Sequence, residues 1–181
     1  MRVTNKPTKP LPSNSEWRDH CFCGSAPHGL AVDAKGDIWV ADTGNDRIQE
    51  LNSKGEYIRK FGSEGTGNGQ FRSPAAIAID SEGDVWVADA GNDRMQRFTP
   101  EGTYLSQFGT AGNDDGQFSE PQGIAIDAKG NFWIADTGND RVQEWLLTVP
   151  PTTYEYDQAG NLTAVERQAG KALGIDESYA Y

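Results

Sequence analysis

The chain has 181 residues and a formal net charge of −11, a length that suits one domain or one plus a fragment. So acidic a balance argues against a general nucleic-acid binder, RNA binding included, and against a ligand for anionic membrane surfaces, since both need clustered Lys and Arg. No apolar run approaches the roughly 20 residues of a membrane helix, two cysteines cannot build a disulfide framework, and 21 glycines, about 12 % against a usual 7 % or so, point to many short strands joined by tight turns.

Residues 1 to about 16 are rich in Lys, Pro, Asn, Ser and Thr and read as a flexible lead-in. They contain no apolar h-region, so no secretory signal is expected. The next stretch, Glu16 to Gly24, places Trp17 and Phe22 beside His20, Cys21 and Cys23. Three readings stand. It is an outer strand or flap laying its aromatics on the first repeat, which we prefer. It is a zinc site using His20, Cys21, Cys23 and His28, although the Cys-x-Cys spacing does not suit the common knuckles. Or it holds a strained Cys21–Cys23 disulfide.

From Pro27 onward the chain repeats. The heptapeptide Ala-Asp-x-Gly-Asn-Asp-Arg occurs at 41–47, 88–94 and 135–141, so that Arg47, Arg94 and Arg141 stand 47 residues apart. A fixed period of that length marks a repeat architecture. The repeats run 27–73, 74–120 and 121–147. Strand one of each is a continuous apolar run, 29–32, 76–79 or 123–126, which predicts burial on both faces. An Asp-to-Gly turn follows, such as Asp33 to Gly36. Strand two carries Trp39, Trp86 or Trp133 and ends in the shared heptapeptide. Strand three, beginning at each repeated Arg, alternates apolar and polar residues as a half-exposed strand should. Strand four follows another glycine turn at 57–61 or 104–108.

Four antiparallel strands per repeat describe a β-propeller blade. One blade cannot bury both its faces, so each tryptophan should be sealed by the next sheet. Pro-x-Gly-[Leu/Ile]-Ala-[Val/Ile]-Asp followed by Trp-Val-Ala-Asp-Thr-Gly-Asn-Asp-Arg resembles the NHL repeat over Pro27 to Trp145, and the Phe61-Gly62 to Phe71 and Phe108-Gly109 to Phe118 connections resemble those between such blades. That resemblance implies a six-bladed propeller, more often a binding platform than an enzyme.

A Pro-rich linker at 148–153 leads to Tyr154-Glu155-Tyr156-Asp157 and Gly160-Asn161-Leu162, an aromatic strand, a turn and an apolar strand. This resembles the YD repeat of Rhs and teneurin-like proteins, with Tyr179-Ala180-Tyr181 as the start of a second copy. Residues 169–173 between them are read as a short helical turn. The resemblance implies an extracellular or cell-surface setting. The expected fold class is therefore all-β: three four-stranded antiparallel blades of a partial propeller, then a YD-type hairpin across 154–181.

Asp42, Asn45 and Arg47, with Asp89, Asn92, Arg94, Asp136, Asn139 and Arg141, recur in every repeat. A catalytic group is needed once, so these are assigned to turn satisfaction and ion pairing. Function is sought where the blades differ. His28, Ala75 and Gln122 hold equivalent positions near the channel mouth, and Arg72, Asp114 and Asp115 distinguish the linkers. His28, Gln122, Arg72, Asp114 and Asp115 are thus the candidate binding face for a protein or carbohydrate. No catalytic residue and no cofactor are assigned. The alternative is a six-bladed lyase or hydrolase with a His or metal site at the mouth. Three blades are too few to close a ring of about four to eight. Either a larger parent protein supplies further blades, the reading we prefer, or two chains combine as a homodimer.

Overall fold

The computed structural model describes residues 26–147 and the strands at 153–156, 162–166 and 175–180. Three four-stranded antiparallel sheets follow in chain order. The first contains β1 (Leu30–Val32), β2 (Ile38–Asp42), β3 (Arg47–Leu51) and β4 (Tyr57–Phe61). The second contains β5 (Pro74–Ile79), β6 (Val85–Asp89), β7 (Arg94–Phe98) and β8 (Tyr104–Phe108). A short parallel pair, β9 (Thr110–Ala111) and β10 (Gln117–Phe118), lies in the linker to the third. There β11 (Pro121–Ile126), β12 (Phe132–Asp136) and β13 (Arg141–Leu147) repeat the order.

The first hairpin of each blade is built by its aspartate. Asp33 Oδ1 accepts the N–H groups of Lys35 and Asp37, both at 2.9 Å, and Asp80 and Asp127 repeat the pattern. Gly36, with φ +85°, occupies the left-handed position that an L side chain resists. The second carboxylate oxygen of Asp80 takes the indole N–H of Trp86 at 2.8 Å. The turn thus fixes the orientation of the ring that the next blade covers.

Blades stack through one recurring joint. Trp39, Ala41 and Ile48 of the first blade form a core with Ile77, Val85, Val87 and Phe98 of the second. Trp86, Ala88 and Met95 of the second form the next core with Phe132, Ile134 and Trp145 of the third. Trp39 and Trp86 are sealed; Trp133 is 40 % exposed, because no further sheet among the described residues covers it. At the inner strands the blades nearly touch: a Cβ on Gly29 would lie 2.5 Å from the Ala75 carbonyl oxygen.

Three expectations are corrected. Burial of strand one on both faces holds for β5 but not for β11, whose Gln122 and Ala125 are exposed, nor for β1, where Leu30 and Val32 lie in the open with no preceding sheet among the described residues. Strand three is not half-exposed in the first two blades, where Gln49, Glu50 and Gln96 are all buried and the glutamines turn inward onto an aspartate; in the third, β13 alternates as expected, with Val142 exposed. The third sheet gains its fourth strand from β16 (Ile175–Ala180), paired antiparallel with β13 through Trp145↔Glu177 and Leu147↔Ile175. Tyr179 and Ala180, read as the start of a second YD unit, therefore belong to a blade. The hairpin read at the first YD unit is present as β14 (Thr153–Tyr156) paired with β15 (Leu162–Glu166). The helical turn at 169–173 lies outside the described residues.

Candidate functional site

The repeated polar residues form a buried latch. Asp89 Oδ2 accepts from Asn92 Nδ2, Arg94 Nε and Gln96 Nε2 at 2.8 to 2.9 Å, while Oδ1 takes the Arg72 N–H at 2.8 Å. Arg94 then grips the linker that arrives from the first blade. Its Nη1 donates to Thr66 O and its Nη2 to Gly67 O and Gln70 O. Gln96 Oε1 accepts the Gly69 N–H. Asp136, Asn139, Arg141 and Gln143 repeat the arrangement on the second linker. In the first blade Asp42 likewise takes Asn45, Arg47 and Gln49. Gln49 Oε1, the counterpart of the acceptor for Gly69, has no donor among the described residues.

The third latch favours an ionised Asp136. Burial raises the Asp136 pKa, but the Ser119 N–H, Asn139, Arg141 and Gln143 together outweigh it and hold the carboxyl below its ordinary range. The 3₁₀ turn after strand two is closed by Asp46, Asp93 or Asp140 in the left-handed region, at φ +49° to +53°. Asp46 Oδ1 and Asp93 Oδ1 accept the N–H of Ser73 and Glu120, which ties each turn to the end of the following linker. The roles of Gln49, Gln96 and Gln143 were missed in the sequence. The signal was their recurrence with the same period as the Asp and Arg.

A groove of about 260 Å³ opens where strand one begins. His28, Ala75 and Gln122 contribute the equivalent position of each blade; Thr43 and Ala90 come from the turns, Ser73 and Glu120 from the linker ends. The side chains of His28, Ser73, Glu120 and Gln122 have no hydrogen-bond or ion-pair partner among the described residues. Thr43 Oγ1, by contrast, is fixed on Pro74 O at 2.7 Å. The structure thus brings His28 and Gln122 to one groove. It does not bring Arg72, Asp114 or Asp115 there. Arg72 is exposed and passes over Gly91; Asp114 and Asp115 are exposed on the second linker, where Asp114 O receives Arg141 Nη2 and Asp115 lies 3.8 Å from Arg141 Nη1. His20, Cys21 and Cys23 lie outside the described residues.

Carboxylates also gather at the opposite ends of the strands. Asp33, Asp37 and Glu50 offer oxygens within 4.8 Å of one another, as do Asp80, Glu82 and Asp84. In the second group Arg97 supplies the cation, 2.8 Å from Asp84 and 2.9 Å from Glu82. In the first group the position of Arg97 is held by Glu50 itself. Arg59 Nε lies 2.7 Å from Glu50 Oε2, near enough for an ion pair but without the alignment of a hydrogen bond. Burial first, opposed by Arg59 and reinforced by Asp37 and Asp33, raises the Glu50 pKa.

Residues 25–51, 71–98 and 118–145 match the family model described as the NHL repeat. No curated protein sequence matches the chain. Among solved structures it is similar to a streptogramin B lyase, at 23 % identity and a TM-score of 0.54 over 76 % of this chain and 42 % of that one. It is similar to virginiamycin B lyase from Staphylococcus aureus, at 21 % and 0.51 over 77 % and 40 %. It is also similar to a protein of unknown function from Bacteroides thetaiotaomicron, at 21 % and 0.52 over 65 % and 32 %. The chain spans less than half the length of each of these structures. The likeness shows a propeller fold.

Proposed function

Starting from a chain that carries three NHL repeats folded as consecutive propeller blades, we propose that it is a non-enzymatic binding module of a larger protein, taking a protein segment or a carbohydrate at the inner-rim groove. One contrast carries this reading. The repeated Asp, Asn, Arg and Gln are engaged in the latch, whereas the groove's non-repeated His28, Ser73, Glu120 and Gln122 keep their polar atoms available. An imidazole, a carboxylate, an amide and a hydroxyl in one shallow groove suit a ligand rich in hydroxyl or amide groups. Residues 154–165, folded as the β14–β15 hairpin, are read here as one YD-type unit by the resemblance of their sequence, and that resemblance alone implies a setting outside the cell or on its surface.

The test is saturation-transfer NMR of the chain with cellobiose, chitobiose, maltose and a panel of short peptides. At least one probe should bind, and His28→Ala with Gln122→Ala should weaken it while leaving thermal unfolding unchanged. Binding unaffected by both substitutions would remove the groove as the site. The enzyme alternative rests on lyase-like neighbours that share the fold at low identity. Incubation with a streptogramin B antibiotic tests it; turnover by the purified chain would overturn the non-enzymatic reading.

A further inference from the structure

The second and third latches are each closed by main chain. In the second, the arriving linker places the Gly69 N–H on Gln96 Oε1, Gln70 O on Gln96 Nε2, the Arg72 N–H on Asp89 Oδ1 and Arg72 O on the Gly91 N–H. Gly116, Gln117 and Ser119 make the same contacts with Gln143, Asp136 and Gly138. In the first latch Asp42 and Gln49 are just as deeply buried. Yet Gln49 Oε1 has no donor among the described residues, and Gln49 Nε2 reaches Asp42 without a carbonyl. Asp42 Oδ1 takes Asn45 in place of a main-chain N–H. Asn92 and Asn139 donate to the Gly65 and Gly112 carbonyls, whereas among the described residues Asn45 turns back on Asp42 alone. Each group left over is one that a peptide main chain satisfies in the other two blades, and a buried acceptor without a donor is costly.

We propose that the main chain of Phe22 to Ser25 closes the first latch. Connectivity selects this segment. Pro27, Pro74 and Pro121 hold one position of the repeat, and the chain enters strand one alike in all three: Gly29 bonds Ala41 as Ala76 pairs with Ala88 and Gly123 with Ala135. In the second and third blades the residues that close the latch stand two to five places before that proline, and the same count back from Pro27 gives Ser25 to Phe22. Whatever lies further upstream, these residues are the ones that lead into β1, so another blade does not compete for the place. The Ser25 N–H then donates to Asp42 Oδ1, Cys23 O accepts from Gln49 Nε2, and the Phe22 N–H donates to Gln49 Oε1. One departure has a visible remedy. Gly69 and Gly116 have φ +76° and +79°, a conformation that Phe22 adopts only at a cost. A Cβ on Gly69 would lie 3.9 Å from Phe98, so the Phe22 ring starts beside Leu51, the counterpart of Phe98, while Gly24 stands where the buried Phe71 and Phe118 stand. Closure fixes the chain three residues before His28, at the edge of the groove.

Amide hydrogen exchange of the full chain, read residue by residue, tests this. The Phe22 and Ser25 amides should exchange at least about tenfold more slowly than those of Ser13 to Ser15. Ser25→Pro removes the N–H that Asp42 accepts, and Gln49→Ala removes the acceptor for Phe22. Each should return the Phe22 amide to the rate of Ser13 to Ser15 and lower the Tm, whereas Ser15→Pro should change neither. Circular dichroism checks that Gln49→Ala folds; if it does not, Ser25→Pro decides alone, since that substitution lies outside the blades. Wild-type Phe22 and Ser25 amides that exchange as fast as Ser13 to Ser15 would overturn the proposal. So would protection that survives Ser25→Pro, above all if Trp17→Ala abolishes it, because the segment would then be held by its aromatic side chains and not by the latch.

Discussion

Arg94 Nε lies 2.8 Å from Asp89 Oδ2, and both side chains are almost sealed from water. The remaining guanidinium donors reach carbonyls of the linker and Gln107 Oε1, so one residue joins strand three, strand four and the incoming chain. Removing it leaves Asp89 charged, buried and short of a partner. Arg94→Ala should cost about 3–5 kcal/mol, the usual penalty for breaking a buried pair. Arg94→Lys should recover only part of this, because an ammonium lacks the planar fork. Urea unfolding measures both.

Trp86 is fully buried and contacts Phe108 and Phe132 edge-on, at centroid distances of 5.9 and 4.5 Å. It is the tryptophan of the blade flanked on both sides. Trp86→Ala should cost about 3–5 kcal/mol, as large-to-small changes in a packed core do. Leu105→Ala, at a half-exposed position of β8, should cost less than about 1 kcal/mol. Equal losses in chemical denaturation would mean that the joint between blades is not the stabilising core.

Asp136 makes stability depend on acid. Its folded-state pKa lies below the ordinary 3.8, so the latch contributes fully above that value. The contribution fades as pH falls through the lower, folded-state pKa. Asp136→Asn should therefore be less stable than wild type at pH 7, and the gap should close as pH drops well below 3.8. Thermal melts across pH 2 to 7 would show a constant gap if the charge were irrelevant.

Glu50 behaves in the opposite sense. Its folded-state pKa is raised above 4.5, so the folded chain holds the proton more tightly than the unfolded chain. Its ionisation destabilises the fold as pH rises through that raised value. Glu50→Gln, which removes the buried charge and keeps the shape, should raise the Tm at pH 7. The advantage should shrink towards pH 4.5 as wild-type Glu50 becomes protonated. A lower Tm for the variant at pH 7 would show that the Arg59 pair outweighs the cost of burial.

The blades were legible because their period is covalent: Trp39, Trp86 and Trp133 stand at one interval and occupy one place in each sheet. The latch aspartates and arginines were legible as structural for the same reason. Gln49, Gln96 and Gln143 were not, since a polar residue in an alternating strand reads as solvent-facing, and only the fold shows it turned onto the aspartate. β16 was illegible for another reason. Ile175-Asp176-Glu177-Ser178-Tyr179-Ala180 shares little with Tyr57–Phe61 or Tyr104–Phe108, and it lies far along the chain from β13. Of the candidate face, His28 and Gln122 meet because equal register places them at one end of equivalent strands. Arg72, Asp114 and Asp115 do not line it: Arg72 packs over Gly91 at its rim, and Asp114 and Asp115 stay on the second linker beside Arg141.

The late arrival of β16 bears on how the molecule is made. The first two sheets are assembled from neighbouring hairpins and can zip up as the polypeptide emerges from the ribosome. The third must wait for residues 175–180 and close a long excursion, which is entropically slower. Until then β13 presents a naked edge beside the half-covered Trp133, so the hazard of misassociation during synthesis is concentrated at that end of the stack.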